Sequence, residues 1–239
     1  MSDDVRIHTV EQLLDTIDAV VATSARGDRS QASAAEFWTE LLSRPGHPLA
    51  TQLPDEPLVD WHERGLLDLA GARVLDIGCG SGRNSRWFAE QGATVEGIDL
   101  AAPLLDSVRP TMPASVNLTA SDILRDPLPA GQFDLVYDSG CFHHLAPHRR
   151  ITYLARVVPA VRDGGRFGIV TFAAGRVQTP TDLEVVTTGD TGGGMAFSLE
   201  DLRTIFATLD PLEVRPVHSD REGTFGADFL NAALFRTTT

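Results

Sequence analysis

Val74-Leu75-Asp76-Ile77-Gly78-Cys79-Gly80-Ser81-Gly82-Arg83-Asn84 is the stretch that decides the fold of this chain. Its apolar start predicts a short buried strand, its glycines predict a tight loop, and the residues around Trp87 and Phe88 predict a helix. Glycine lets a loop turn sharply and lets a ligand lie against bare backbone. The stretch therefore predicts a strand–loop–helix unit with a binding site at the loop, although such a loop can also serve only to turn the chain.

The glycine spacing separates two classes of ligand. Dinucleotide-binding loops follow the pattern G-x-G-x-x-G, with the helix N-terminus aimed at a pyrophosphate. Here the glycines are Gly78, Gly80 and Gly82, so the third comes one residue early and Arg83 takes its position. Asp76 ends the strand, where its charge would repel a diphosphate and would attract a ligand that carries positive charge.

The composition excludes several classes of function. The chain has 239 residues, of which 42% are hydrophobic, so we expect one substantial globular domain with an added segment. Its net charge of −13 disfavours nucleic acid and anionic membranes as partners. We expect Cys79 and Cys141 to be reduced thiols in the cytoplasm, and we find neither a signal peptide nor a membrane span in the sequence.

From residue 71 onward the sequence alternates between strand and helix patterns. The predicted strands are Arg73–Ile77, Thr94–Ile98, Val116–Ala120, Phe133–Asp138 and Arg166–Phe172. The predicted helices are Gly82–Gln91, Ala102–Val108 and Pro147–Arg162. Alternation of this kind predicts an α/β fold with a parallel sheet covered on both faces, in which ligands bind beyond the carboxyl ends of the strands.

The C-terminal part departs from this alternation. Residues 173–197 are predicted to form a long irregular segment, which in a compact domain is usually either functional or disordered. A helix is predicted to start at Ser198, and residues 212–217 and 228–236 are predicted to form an antiparallel hairpin.

Residues 1–70 are predicted to form an N-terminal helical cap, and residues 71–239 the main domain. Capping boxes at Thr9 and Ser33 predict the starts of two helices. Phe37 and Trp38 lie on the second helix, where they could pack in a core or could face a substrate and shield it from water.

Acidic residues follow two further predicted strands. Asp99 ends the second strand about twenty residues after the first glycine, where an acidic side chain can accept from both ribose hydroxyls. It could also cap the next helix, and the two roles are compatible. Asp122 and Ile123 follow the third strand, where a carboxylate and a backbone amide could bind a ligand or could simply form a turn.

Together these segments resemble class I S-adenosyl-L-methionine (SAM)-dependent methyltransferases across about residues 70–172. The resemblance implies a Rossmann-like, three-layer αβα fold with a seven-stranded, mostly parallel sheet whose last strand is antiparallel. It implies SAM as cofactor, bound by Asp76, Gly78, Cys79, Gly80, Asn84, Asp99, Leu100, Asp122, Ile123 and Asp138. More narrowly, the chain resembles a bacterial small-molecule subgroup that is distantly similar to thiopurine- and tellurite-type enzymes, so we expect Phe37, Trp38 and Ser139 to bind the acceptor.

Methyl transfer from a sulfonium needs alignment more than it needs acid or base catalysis. A base is required only when the acceptor must lose a proton, and His143 and His144 are the candidates because histidine titrates near neutral pH. Alternatively, one of them packs and the other contacts cofactor. His148, Arg149 and Arg150 could steer a carboxylate acceptor, or they could form a solvated helix start.

The sequence therefore predicts a SAM-dependent methyltransferase that acts on an O, N or S nucleophile of a small molecule, either a metabolite or a compound of natural product biosynthesis, as a monomer or homodimer without a metal. Three alternatives remain: an enzyme of the same fold that drives an intramolecular displacement on SAM, a nicotinamide dehydrogenase disfavoured by the glycine spacing, and a non-catalytic SAM-binding module.

Overall fold

The computed structural model describes residues 7–21, 34–44 and 51–238. Its helices are Val10–Val21 (α1), Ala35–Leu42 (α2), Glu56–Glu63 (α3), Arg83–Glu90 (α4), Ala102–Val108 (α5), Arg149–Ala160 (α6), Asp182–Thr188 (α7) and Leu199–Ile205 (α8). Its strands are Arg73–Ile77 (β1), Thr94–Asp99 (β2), Val116–Ala120 (β3), Phe133–Ser139 (β4), Val161–Ala173 (β5), Ala196–Phe197 (β6), Asp210–Pro216 (β7) and Leu230–Arg236 (β8). Short 3-10 turns span Arg109–Thr111 and Phe142–His144. No helix within these ranges combines the length and the apolar character needed to cross a bilayer.

The strands form one twisted, mostly parallel sheet in the order β3-β2-β1-β4-β5-β8-β7. Strand β8 runs antiparallel to both β5 and β7, as expected for the last strand. The predicted fold class is confirmed, with one difference in the strand count. The sheet has eight strands because the two-residue strand β6 pairs with the end of β5, and a strand that short leaves no periodicity in the sequence.

Strand β1 lies in the middle of the parallel part of the sheet, paired with β2 on one side and β4 on the other. Val74, Leu75 and Ile77 are fully buried, as expected for a strand covered on both faces. Because the strands are parallel, their carboxyl ends meet at one edge, and the loops after β1, β2, β3 and β4 converge there.

Helix α3, which lies within the predicted cap of residues 1–70, packs into the core of the sheet domain. Leu58 and Trp61 are fully buried among side chains of the sheet. The Trp61 indole N–H also donates to Glu213 Oε1 on β7 at 2.9 Å. Helix α3 therefore packs with the sheet, and the domain boundary at residue 70 stays a prediction.

Helix α1 begins with the predicted capping box: Gln12 N donates to Thr9 Oγ1 at 3.1 Å, and Thr9 N donates to Gln12 Oε1 at 3.2 Å. The second predicted box includes Ser33, which lies outside the described residues. Helix α2 starts at Ala35.

The segment 173–197 contains more regular structure than predicted. Helix α7 starts at a capping box in which Glu184 N donates to Thr181 Oγ1 and Thr181 N donates to Glu184 Oε2. The helix ends at Gly189, which has a left-handed backbone conformation. The pattern Thr-x-x-Glu was visible in the sequence, but the helix is only seven residues long and two of its apolar side chains, Leu183 and Val186, face solvent.

Candidate functional site

A cavity of about 400 Å³ lies at the carboxyl ends of the parallel strands. This is the edge at which open α/β sheets bind ligands, and the volume is within the range of small-molecule sites. Of the predicted site residues, the following line it: Trp38, Asp76, Gly78, Cys79, Gly80, Asn84, Asp99, Leu100, Ile123, Ser139, His143 and His144.

The glycine loop gives the cavity a floor of bare backbone. Gly78 and Gly80 have positive φ values of 65° and 53°, which residues other than glycine rarely adopt. A Cβ at Gly78 would lie 2.9 Å from Cys141 Cβ, and a Cβ at Gly80 would lie 3.4 Å from Leu42 Cδ1. The loop therefore fits closely beneath the segment after β4 and beneath helix α2.

Asp99 anchors the loop and still faces the cavity. Its carboxylate accepts from Gly80 N at 2.9 Å and from Ala101 N at 2.8 Å. Burial raises the pKa of Asp99 above its ordinary value, although these backbone donors oppose the shift. Two bonds leave acceptor capacity on a carboxylate, so Asp99 can also accept from a pair of ligand hydroxyls.

Asp76 places a second carboxyl in the cavity wall. It is 1% exposed and accepts from Ser85 Oγ at 2.6 Å. Burial raises the pKa of Asp76 to about 7, because the charged form loses its hydration. The group is therefore poised to ionise when a positively charged ligand group arrives.

A buried polar cluster centred on Asp55 joins the glycine-loop helix to the rest of the site. The Asp55 carboxylate accepts from Arg83 Nη2 at 2.6 Å, from Asn84 Nδ2 at 2.9 Å and from Tyr137 Oη at 2.7 Å. Arg83 lines the cavity with its guanidinium 4.8 Å from the ring centroid of Phe225. The sequence showed Arg83 and Asn84 beside the glycines but gave no sign that Asp55 would pair with them.

The structure does not bring Phe37, Asp122 or Asp138 to the cavity lining. The Asp122 carboxylate accepts from Leu124 N and from Arg125 within its own turn, and Ser121 and Ile123 line the cavity beside it. Phe37 packs edge-on against Trp38. For these residues the predicted ligand contacts remain predictions, and the geometry favours the turn and packing alternatives.

Asp138 is fully buried and holds the turn after β4. Its carboxylate accepts from Tyr153 Oη at 2.6 Å, from Cys141 N at 2.8 Å and from Phe142 N at 3.1 Å. Burial raises the pKa of Asp138 to about 6, against the opposing effect of these donors. The side chain thereby positions the segment that carries both candidate histidines.

His143 and His144 contact each other and both line the cavity. Phe172 N donates to His143 Nδ1 at 3.3 Å, and the two Nε2 atoms are 3.1 Å apart. The His143 ring is stacked on Phe172 with the ring centroids 3.8 Å apart, while the rings of Trp38 and His144 meet edge to face with their centroids 4.6 Å apart. Burial and the neighbouring His144 lower the pKa of His143 well below its ordinary value, so His143 is neutral at physiological pH.

The basic residues at the start of α6 turn inward and meet acidic partners. Arg149 is 1% exposed and forms ion pairs with Glu11, Asp15 and Asp18 of α1. His148 and Arg150 are also buried, the former against Asp18 and the latter against Asp182. None of the three lines the cavity, so neither steering of an acceptor nor a solvated helix start describes them.

Comparison with known proteins agrees with this geometry. Residues 74–165 match the family described as methyltransferase domain. An uncharacterized methyltransferase of Mycobacterium bovis is 33% identical over 150 residues, which cover 62% of this chain and 55% of that protein. The chain thus spans about half the length of the curated relative it matches.

Solved structures of methyltransferases share the fold. The crystal structure of Burkholderia thailandensis 1,6-didemethyltoxoflavin-N1-methyltransferase, with bound 1,6-didemethyltoxoflavin and S-adenosylhomocysteine, matches with a TM-score of 0.57 at 22% identity and covers 99% of this chain and 94% of that one. A TehB-like SAM-dependent methyltransferase from Corynebacterium glutamicum matches with a TM-score of 0.56 at 23% identity and covers 87% of this chain and 100% of that one. Residues 74–165 accordingly match a methyltransferase domain, and the chain has the fold of class I SAM-dependent methyltransferases.

Proposed function

We propose that this protein transfers a methyl group from SAM to a small-molecule acceptor. The observation that carries the proposal is one cavity that combines bare loop backbone with the carboxyls of Asp76 and Asp99. SAM carries an ammonium, a sulfonium and a ribose diol, and acidic groups complement each of these. Arg83 adds a guanidinium to the wall, which suits the carboxylate of SAM.

The compared proteins support the same reading. The Burkholderia enzyme is crystallised with S-adenosylhomocysteine (SAH) and 1,6-didemethyltoxoflavin, and its structure covers nearly all of this chain. A small-molecule acceptor for this chain, in natural product biosynthesis and in the cytoplasm, is part of our proposal. The free thiols of Cys79 and Cys141 are consistent with a reducing compartment.

The residues of this chain would act mainly by binding and alignment. When bound, SAM supplies an electrophilic methyl carbon. Asp99 would fix the ribose, Asp76 and Arg83 would fix the amino acid end, and helix α2 would cover the loop through Leu42. We propose that α1 and α2 form a cap, since Trp38, Leu41 and Leu42 already line the cavity. Most of the rate enhancement for such a displacement comes from excluding water and from holding the acceptor atom, the methyl carbon and the sulfur in line.

The replacement Asp99→Ala tests the cofactor site. It removes both ribose contacts, and each charge-assisted hydrogen bond contributes about 1.5–3 kcal/mol, so we expect SAH affinity to fall about 100-fold or more. Isothermal calorimetry with SAH measures this change. Asp99→Asn retains an oxygen for the Gly80 amide and separates loss of the charge from loss of the loop anchor.

The matched control is Asp106→Ala, which removes an exposed carboxylate from the next helix. Its SAH affinity should equal that of the unmodified protein. Unchanged SAH affinity in both Asp99 variants, with far-ultraviolet circular dichroism showing intact folds, would remove the ribose assignment and with it the proposed cofactor site.

A further inference from the structure

The cavity described above has several aromatic side chains in its walls. Trp38, Phe172, Phe225 and Phe229 line it together with the two histidine rings. The ring centroids of Phe229 and Phe172 are 6.2 Å apart. Aromatic walls favour flat aromatic ligands, which gain stacked or edge-to-face contacts over their whole surface.

The charged groups of the described lining are accounted for by other partners. Asp76 and Asp99, on β1 and β2, are assigned above to SAM. The Arg83 guanidinium is paired with Asp55 at 2.6 Å and is assigned above to the carboxylate of SAM, and His143 is neutral. A charged acceptor would therefore be buried without a dedicated counter-charge, which is costly.

The histidine pair uses both of its ring lone pairs. Because Phe172 N–H donates to His143 Nδ1, the proton of neutral His143 is on Nε2. That N–H points at His144 Nε2, which must accept it, so the proton of neutral His144 is on Nδ1. Each neutral imidazole has one ring-nitrogen lone pair that can accept a proton. Here the lone pair of His143 accepts from the Phe172 amide, and the lone pair of His144 accepts from His143. In this arrangement the pair has no lone pair free to take a proton from an acceptor.

We propose that the acceptor is a neutral, planar heteroaromatic molecule that is methylated on nitrogen. This inference rests on the proposed function. The nitrogen lone pair forms the new bond to the methyl carbon as the sulfur–carbon bond breaks and its electron pair returns to sulfur. The positive charge moves from sulfur to the acceptor, where the surrounding ring faces stabilise it by cation–π interaction. A hydroxyl acceptor would need a base, and a thiolate would bring an uncompensated negative charge into the cavity.

Three probes test the inference with the full chain loaded with SAH: isoquinoline, isoquinoline-3-carboxylate and 2-naphthol. We expect isoquinoline to bind more tightly than its carboxylate by about tenfold or more, since even 1.4 kcal/mol of uncompensated charge gives that ratio. With SAM in place of SAH, mass spectrometry should detect N-methylisoquinolinium and no methyl ether of 2-naphthol.

Phe172→Leu should weaken isoquinoline binding about two- to tenfold and leave SAH affinity unchanged, because leucine keeps an apolar contact but loses the aromatic pairing. Leu183→Ala, at an exposed site on α7, is the control and should change neither affinity. Equal binding of isoquinoline and its carboxylate, or methylation of 2-naphthol in preference to isoquinoline, would overturn the inference while SAH binding still supported the cofactor site. Loss of SAH binding in the unmodified protein would instead refute the proposed function.

Discussion

At Asp76, burial favours the neutral carboxyl, whereas a cationic ligand would favour the ionised carboxylate. In the protein alone, burial raises its pKa to about 7, so the carboxyl is half-protonated near neutral pH. A nearby ammonium or sulfonium favours the ionised form and would lower this pKa. Binding of a cationic ligand should therefore release a proton from Asp76 at pH values between this lowered pKa and about 7.

We predict that SAM affinity rises with pH up to about 7 and levels off above it. Below its pKa Asp76 must lose a proton before it can pair with SAM, and above it the carboxylate is already formed. Calorimetric titration at pH 6 in two buffers of different ionisation enthalpy measures the released protons.

Asp76→Asn is the matched variant, because a neutral amide resembles the protonated carboxyl and can still accept from Ser85. It should bind SAM about ten- to 100-fold more weakly, in keeping with about 1.5–3 kcal/mol for a charge-assisted hydrogen bond. It should also release fewer protons, with any remainder coming from Asp99, whose pKa burial also raises. Identical heats in the two buffers with the unmodified protein would contradict the prediction.

Asp99 and Asp122 show how far single residues could be predicted from the sequence. Both follow a parallel strand, and the sequence gives both the same kind of signal. Asp99 lines the cavity while it accepts from Gly80, whereas Asp122 bonds within its own turn because Leu124 N and Arg125 offer nearby donors. Strand position predicts the edge of the sheet, but the local turn decides where the side chain points.

At the level of elements, helix α1 illustrates a pattern that periodicity alone misjudges. Its apolar face is only partly used, since Leu14 and Val21 are buried but Val10 and Leu13 remain exposed. Asp18 is instead buried, where it accepts from His148 Nε2 at 2.7 Å and from the guanidinium of Arg149. The helix is thus attached to α6 by charge as well as by apolar packing.

We predict that Asp18→Ala releases α1 from the domain. Arg149 is 1% exposed, and loss of its buried partner leaves it only the exposed carboxylates of Glu11 and Asp15. Breaking a buried ion pair costs about 3 kcal/mol or more, so amide exchange in α1 should accelerate strongly as measured by mass spectrometry.

Asp15→Ala is the matched control on the same helix face. Its carboxylate is 61% exposed and pairs with the same arginine, so it should change stability by less than about 1 kcal/mol. Equal exchange rates in the two variants would show that apolar packing alone holds α1.

Although burial opposes the shift, hydrogen bonds from His148 and Arg149 hold the pKa of Asp18 well below its ordinary value. The resulting stabilisation is complete above pH 3.8, the ordinary value, and is lost only as the pH falls further.

Several regular elements were predictable because their patterns are local. The bounds of β1, β3 and α5 match the sequence prediction to the residue. Helix α7 was missed although its capping box is local, because Leu183 and Val186 face solvent and give no apolar face, and strand β6 was missed because it depends on a distant part of the chain. Strand β6 exists only through its pairing with Phe172 and Ala173 at the end of β5.

At the level of the whole molecule, the site is assembled from segments far apart in the chain. The Asp55 cluster joins the start of α3, the start of α4 and strand β4. A backbone pairing between Asp55 and Phe225 adds the segment before β8, which lines the cavity. No local pattern could predict this convergence, because it depends on the order of strands in the sheet.

The Asp55 cluster should therefore couple stability to ligand binding. Asp55→Ala leaves Arg83, Asn84 and Tyr137 without their shared buried acceptor, so we expect a loss of about 3–5 kcal/mol in the free energy of unfolding. Tyr137→Phe removes one hydrogen bond and leaves the ion pair, so its loss should be about 1–2 kcal/mol. Urea unfolding measures both losses.

Because Asp55 positions Arg83 at the cavity wall, Asp55→Ala should also weaken SAH binding, whereas Tyr137→Phe should leave it close to unchanged. Calorimetry without urea, at a temperature where each variant is folded, measures this affinity. A Tyr137→Phe variant as unstable and as weakly binding as Asp55→Ala would show that the phenol, and not the buried ion pair, holds these segments together.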